Sequence, residues 1–217
     1  MSFDQKGFNE FIIDAGVLKF FEKPVVLKSG KTSHFYLNWR LNDVFSLNEI
    51  SNYILEFAKE KGIEANCFYG VSEGATRLAN MTQTKHAKQS PKYGLGSHVL
   101  PIGRTIPKEH GDSKDRYFVG EPEGKVVVLE NITTTADSLI EKGIKPLQKM
   151  GLEITATIVL TDRSIPIGFA KEKVKLRTGV DYYAMSHTYG LLEKALKTDL
   201  TPKIRSAVEK SLMSYNI

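Results

Sequence analysis

The 217-residue chain lacks several features that would assign it to particular classes of protein. It contains one cysteine, Cys67, so no disulfide can form within it, and a reducing compartment is the simplest expectation. Its apolar runs are far too short to cross a bilayer, and its first residues lack the apolar segment of a signal peptide. We therefore expect a cytoplasmic protein with no membrane partner.

The chain also lacks any dense basic run, although its formal net charge is +5. Its lysines are scattered, and its aromatic residues do not alternate with basic ones as they do in RNA-binding motifs. We therefore expect no nucleic-acid partner and interpret the charge as an ordinary basic surface, part of which could converge on a small polyanion. The histidines show no metal-ligand spacing.

What the chain does contain is an alternation of strand and helix patterns. It predicts an α/β fold with a parallel twisted sheet, flanked by helices and joined by right-handed crossovers. The box Ser46-x-x-Glu49 predicts a helix start. No repeat or linker divides residues 1–217, so one domain is expected. Strands are predicted at 66–71, 92–97, 126–129, 153–160 and 181–185, and helices near 5–18, 46–62, 74–87, 137–151, 188–198 and 202–214.

The most informative stretch begins with an uncharged β-branched run, Val126 to Leu129, which is typical of a strand buried on both faces. An acidic and an amide residue follow, then three threonines, and a helical pattern begins at Asp137 or Ser138. A strand, a hydroxyl-rich loop and a helix N-terminus together favour an anion, because backbone N–H groups and the helix dipole face it. The residues assigned to this phosphate-binding segment are Glu130, Asn131, Thr133, Thr134, Thr135, Ala136, Asp137 and Ser138.

Three other segments follow a recognisable order. Val26-Leu-Lys28-Ser-Gly-Lys-Thr-Ser-His-Phe35-Tyr36 combines a turn with an aromatic pair. Arg104-Thr-Ile-Pro-Lys108-Glu-His110-Gly lies in residues 103–121, a polar region without periodicity that we predict to be a long loop. Thr161-Asp-Arg163 ends a predicted strand.

Together with the phosphate-binding segment, these motifs resemble the orotate phosphoribosyltransferases, a family of type I phosphoribosyltransferases. The resemblance implies transfer of the 5-phosphoribosyl group from phosphoribosyl pyrophosphate to orotate, giving orotidine 5′-monophosphate and pyrophosphate in pyrimidine biosynthesis. It implies Mg²⁺ bound through the substrate and a homodimer whose subunits share the mobile loop. It also implies a core of about residues 45–187 and a small hood of about residues 1–40 plus the C-terminal region.

The resemblance also implies roles for individual residues. Catalytic side chains on the loop would be Arg104, Lys108 and His110. Orotate would be bound by Lys28, Phe35, Tyr36 and Arg163. The turn Gly70-Val-Ser72-Glu73-Gly-Ala occupies the pyrophosphate-loop position, and Ser72 and Glu73 are assigned to it.

The chain departs from the family pattern at several phosphate-facing positions. Asn131 replaces a second acid, Ala136-Asp137 replaces small glycine-like residues, Thr105 replaces a basic residue of the loop, and Glu73 replaces a basic residue of the turn. Asp137 would either cap the helix or lie beside the phosphate. In both cases we expect Asp137→Gly to tighten phosphoribosyl pyrophosphate binding and Asn131→Asp to raise turnover. The alternative is a catalytically impaired or regulatory relative that binds a nucleotide, a partner or nucleic acid.

Overall fold

A computed structural model describes residues 2–26, 32–41, 43–106, 108–110 and 116–215. None of the helices in these ranges is long and apolar enough to cross a membrane. In chain order the elements are α1 (Gln5–Asp14), β1 (Leu18–Val26), β2 (Thr32–Leu37), α2 (Val44–Glu60), β3 (Cys67–Gly70), α3 (Thr76–Gln89), β4 (Ile102–Gly103), β5 (Phe118–Val119), β6 (Lys125–Thr133), a π-helix (Leu139–Ile144) that continues into α4 (Lys145–Lys149), β7 (Glu153–Asp162), α5 (Phe169–Thr178), β8 (Tyr182–Ala184), α6 (Thr188–Ala195) and α7 (Pro202–Met213).

The central sheet has the strand order β3-β6-β7-β8, and every neighbouring pair is parallel. The predicted parallel α/β fold is therefore confirmed. Two antiparallel hairpins, β1–β2 and β4–β5, lie outside this sheet. Because all four central strands run in the same direction, the segments that follow β3, β6 and β7 leave the sheet at one edge.

Strand β6 is buried on both faces, as its uncharged run predicts. Val127 and Leu129 pack in a core cluster with side chains of α1, α2, α3, α6 and α7. Val126 and Val128 pack in a second cluster with side chains of the π-helix, α4 and α5. The period of two along a strand sends alternate side chains to opposite layers of helices.

Several predicted elements differ in the structure. The predicted capping box is wrong, because α2 begins at Val44 and its N-cap is Asp43, whose Oδ1 accepts the N–H of Ser46 at 2.7 Å. The strand predicted at 92–97 is also wrong, since those residues, all within the described ranges, form turns and bends. Helix α5 and the hairpin β1–β2 have no counterpart among the predicted elements.

The amino-terminal segment is attached to the carboxyl edge of the sheet. Trp39, two residues after β2, donates its Nε1–H to Thr161 Oγ1 at 3.0 Å. Its ring stacks on Phe8 of α1 with a centroid distance of 6.0 Å. Gln5 donates from Nε2 to the carbonyl oxygen of Met185 at 2.8 Å. These contacts hold α1 and the end of β2 near the ends of β7 and β8, while the division into hood and core stays a prediction.

Candidate active site

The end of β6 contacts the segments that follow β3 and β7 at the carboxyl edge of the sheet. Asn131, near the end of β6, donates from Nδ2 to the carbonyl oxygen of Gly74 at 2.9 Å. Arg163, directly after β7, donates its backbone N–H to the carbonyl oxygen of Thr133 at 2.8 Å. This edge is where open α/β sheets bind their ligands.

The loop predicted at 103–121 starts and ends as a hairpin. Arg104 donates its backbone N–H to Tyr117 O, and Lys108 donates its own to Arg116 O, both at 2.8 Å. The Ser72 hydroxyl donates to Gly103 O at 2.9 Å. The base of the hairpin is thereby fixed next to the turn after β3. Arg104, which directly follows β4, lies at this base.

Two of the departures from the family pattern contact each other. The hydroxyl of Thr105 donates to Glu73 Oε1 at 3.2 Å, between two exposed residues. A basic residue at either position would have placed a cation in this contact instead of a hydroxyl or a carboxylate. The substitutions at 73 and 105 therefore form one local pair rather than two separate changes.

The phosphate-binding segment folds tightly although it lacks glycine. Ala136 has a φ of +59°, a left-handed conformation that glycine adopts more easily, and its methyl group is buried. Ile140 donates its backbone N–H to Ala136 O at 2.9 Å, and the helix begins at residues 137–138 as predicted. Thr134, Thr135 and Ser138 are exposed at the helix N-terminus. The segment thus presents hydroxyl groups where backbone N–H groups favour an anion.

Asp137 neither caps the helix nor stands alone beside the phosphate position. Its carboxylate accepts hydrogen bonds from Lys173 Nζ at 2.7 Å and Arg177 Nη1 at 3.4 Å, both on α5. The hydrogen bond from Lys173, followed by one from Thr135, lowers the pKa of Asp137. Sequence reasoning missed these two cations because it missed α5, although their i, i+4 spacing next to Ala170 and Val174 was a usable signal.

Glu130 and Asn131 are neighbours in β6 with different surroundings. Burial raises the pKa of Glu130 to about 7, and the hydrogen bond that its Oε1 accepts from the Asn131 N–H lowers that pKa in part. The side chain of Asn131 is only 8% exposed, and its Oδ1 is buried without a hydrogen-bond partner among the described residues. Glu130 is therefore a partly buried carboxyl group with a raised pKa, whereas the amide of Asn131 bonds to the turn after β3.

Thr133 is part of strand β6 and not of the loop. It pairs with Asp162 of β7, and its buried hydroxyl lies 2.5 Å from the hydroxyl of Tyr182 in β8. Burial, and then the nearby Asp162 carboxylate, strongly raise the pKa of Tyr182. The hydroxyl of Thr133 is thus committed to a contact inside the sheet, and its assignment to phosphate stays a prediction.

The residues predicted to bind orotate are only partly brought together. Lys28 lies outside the described residues. Phe35 packs against the core, whereas Tyr36 is 37% exposed, and neighbouring side chains in β2 point to opposite faces. The two rings therefore differ in their surroundings, and their role in binding orotate stays a prediction. Arg163 is half-buried at the end of β7, and His110 is exposed.

A cavity of about 510 Å³ borders this edge of the sheet. Ser72, Arg104 and Lys142 contribute to its lining, between the hairpin and the π-helix. A cavity of about 740 Å³ lies instead at the amino ends of β3 and β6, next to Asn66 and Gly124, away from the converging segments. The smaller cavity is therefore the one adjacent to the candidate site.

The comparisons with known proteins agree with this arrangement. No protein-family model matches the chain. It is 32% identical over 174 residues to the orotate phosphoribosyltransferase of Pyrococcus furiosus, covering 78% of this chain and 86% of that relative. It is 31% identical over 158 residues to that of Pyrococcus abyssi, covering 71% of this chain and 79% of the relative. The crystal structure of orotate phosphoribosyltransferase from Francisella tularensis shares the fold, with a TM-score of 0.68 and 20% identity over 95% of this chain and 98% of that one. The chain belongs to the orotate phosphoribosyltransferase family.

Proposed function

We propose that this protein transfers the 5-phosphoribosyl group of phosphoribosyl pyrophosphate to orotate, giving orotidine 5′-monophosphate and pyrophosphate for pyrimidine biosynthesis. The observation that carries the proposal is the convergence of three segments at one sheet edge. They are the turn 72–74, the end of β6 that leads into the loop 134–138, and the hairpin that holds Arg104. The two Pyrococcus relatives support the same reaction. Neither they nor the geometry favours the non-catalytic alternative.

The reaction displaces pyrophosphate from the anomeric carbon with a ring nitrogen of the pyrimidine. Its transition state resembles an oxocarbenium ion, so the site must neutralise the leaving group and stabilise positive charge on the ribose. We assign the first task to Arg104, whose backbone bonds to Tyr117 at the base of the hairpin. We assign the second task to Glu130 in its ionised form. Arg163 provides a planar guanidinium that suits the carboxylate of orotate.

The loop 134–138 is assigned to the 5-phosphate. The hydroxyl groups of Thr134, Thr135 and Ser138 are exposed at the start of the helix, where N–H groups face an anion. Lys173 and Arg177 neutralise Asp137, so the acidic residue in this loop does not present an unpaired negative charge to the phosphate.

Mg²⁺ fits the oxygen-rich turn of this site. The ion is usually held by one or two carboxylates together with substrate phosphates. Glu73 lies in the turn, and Glu130 is the neighbour of Asn131, which bonds to that turn, so these two residues would provide the carboxylates. Among the residues the structure describes, no group of three or more acidic, histidine or cysteine side chains gathers at one point. When bound, the ion would neutralise charge on the departing pyrophosphate.

We further propose a cytoplasmic homodimer in which each subunit lends its hairpin to the other site. Lys108 and His110 are exposed, so within their own subunit they are not committed to the core. Lys28 would complete the binding of orotate or pyrophosphate. The cytoplasmic location is an expectation that rests on the single, buried Cys67 thiol.

The test is to follow the loss of orotate absorbance with phosphoribosyl pyrophosphate and Mg²⁺. Orotate should be consumed, with orotidine 5′-monophosphate and pyrophosphate formed in equal amounts. Arg104→Ala should abolish most of this activity, while Lys92→Ala, an exposed lysine away from the site, should not. Absence of orotate consumption by the wild-type protein, with either nucleotide or nucleic-acid binding retained, would favour the regulatory alternative.

A further inference from the structure

Each residue of the turn 72–74 contacts a different part of the site. The Ser72 hydroxyl donates to Gly103 O, Glu73 accepts from the Thr105 hydroxyl, and Gly74 O accepts from Asn131 Nδ2. The first two contacts reach the hairpin, and the third reaches β6. The turn therefore links the hairpin that carries Arg104 to the strand that carries Glu130.

The contact from β6 depends on an amide. A carbonyl oxygen can only accept a hydrogen bond, so its partner must be a donor. In an Asn side chain the NH₂ group is the donor, whereas the oxygen is an acceptor. Asn131 and Gly74 are 57 residues apart in the chain, and their contact is 2.9 Å long in a site where Asn131 is 8% exposed. The ionised carboxylate of an aspartate at this position would face the carbonyl with a second acceptor.

We propose that Asn131 is a positioning residue that holds the turn 72–74 against β6, and that it acts on the reaction through Gly74 rather than by touching the ribose. This inference rests on the proposed function, because it assigns the turn to pyrophosphate. The buried, unpartnered Oδ1 of Asn131 agrees with it, since that atom is not open to a ligand in this conformation.

The inference reverses the expectation drawn from the family pattern. That pattern suggested that Asn131→Asp would restore a missing acid and raise turnover. Loss of the hydrogen bond to Gly74, together with two acceptors facing each other in a buried place, should instead release the turn. The turn would keep its hydrogen bonds to Gly103 and Thr105 of the hairpin but lose its hydrogen bond to β6. The hairpin would therefore lose its fixed position relative to Glu130.

The experiment compares Asn131→Asp and Asn131→Ala with the matched control Asn66→Asp at pH 8. Asn66 lies before β3, at the opposite end of the sheet, and its Oδ1 accepts the N–H of Lys125, a role that a carboxylate retains. The Ala variant tests the contact without burying a charge. The first readout is amide hydrogen exchange in residues 71–76, where the N–H groups of Ala75 and Thr76 donate to Val71 O and Glu73 O.

In both Asn131 variants the amide hydrogens of residues 71–76 should exchange faster than in the wild type, and those of β7 at the same rate. Asn66→Asp should match the wild type in both regions. The kcat/KM for phosphoribosyl pyrophosphate should fall about tenfold in both variants, with KM for orotate changed by less than about twofold. Unchanged exchange in 71–76, or equal or higher turnover for Asn131→Asp, would overturn the inference. A wild-type protein that consumes no orotate would overturn the proposed function alone, because the exchange measurement still decides the role of Asn131.

Discussion

The loop after β6 and the turn after β3 lie at the same sheet edge but keep their shapes by different means. The loop 134–138 depends on its own backbone, with Ala136 at φ +59°, and on surface ion pairs to α5. The turn 72–74 depends on three hydrogen bonds to residues 31, 32 and 57 positions away. The loop is thus attached to the rest of the protein through exposed ion pairs, whereas the turn is attached through hydrogen bonds to the hairpin and to β6. A change in the turn should therefore affect the hairpin more than a change in the loop does.

The largest effect is expected on the hairpin that the turn holds. Lys108→Ala should lower kcat by about 100-fold, because a cation near the leaving pyrophosphate is removed. The melting temperature should stay within about 1 °C, since the side chain is exposed and the bond to Arg116 O comes from the backbone N–H of Lys108, which the substitution keeps. Thermal unfolding beside steady-state kinetics checks this, with Lys92→Ala as the control. A large drop in melting temperature would make Lys108 a structural residue.

The loop 134–138 should be sensitive to substitutions that strain the backbone of Ala136. Ala136→Val should destabilise the protein by about 2 kcal/mol, because a β-branched residue at positive φ is strained and the site is buried. Ala136→Gly is the matched control: the easier backbone conformation and the loss of one buried methyl group oppose each other, leaving a change within about 1 kcal/mol. Urea unfolding measures both. Equal stability of the Val variant and the wild type would contradict the local account of this loop.

Glu130 should make both activity and stability depend on pH. The pKa of Glu130 is raised to about 7, so its carboxylate is ionised above that pH and activity should rise about tenfold between pH 6 and 8. Glu130→Gln should lose this limb of the profile. In the unfolded state the Glu130 carboxyl loses its proton near the ordinary pKa of 4.5, whereas in the folded state it keeps that proton up to about pH 7. The contribution of Glu130 to stability is therefore fully present below pH 4.5 and is lost as the pH rises through 7.

Urea unfolding at pH 5 and pH 8 tests the stability half of that prediction. Stability should fall more between the two values in the wild type than in Glu130→Gln. Identical pH dependence of the two proteins would show that Glu130 does not titrate between them.

The smallest effect is expected where the loop meets α5. Asp137→Gly should tighten phosphoribosyl pyrophosphate binding a few-fold, because Lys173 would lose its carboxylate partner beside the loop, whereas Arg177 keeps its ion pair with Glu141. Asp181→Asn removes a similarly exposed partner of Lys175 and should leave the affinity unchanged. Calorimetric titration with phosphoribosyl pyrophosphate measures the affinity of both variants. Weaker binding by the Gly variant would mean that Asp137 orders the loop more than it repels the phosphate.

Elements missed in the sequence have weak local patterns. The hairpin β1–β2 is mostly half-buried or exposed, and its register shifts between Phe20 and Val25, which breaks the period of two. Helix α5 buries only Ala170 and Val174 within its ten residues, so its apolar stripe is narrow. Strands β6 and β7 extend beyond their apolar runs because each continues to pair with the other as far as Thr133 and Asp162.

The sequence by itself determined the elements whose cause is local. The uncharged run Val126 to Leu129 had to be buried on both faces, and the helical spacing that follows placed a helix start at 137–138, beside the threonines. Those features depend on neighbouring residues and on backbone geometry, so a short window of sequence contains them.

Only the tertiary structure decided which departures from the family pattern belong together. Glu73 meets Thr105, Asn131 meets Gly74, and Asp137 meets Lys173 because the order of strands and helices brings distant segments to one edge. Residue type limits what each side chain can donate or accept, but it does not select the partner. That selection is made by the packing of the whole sheet, which no single segment specifies.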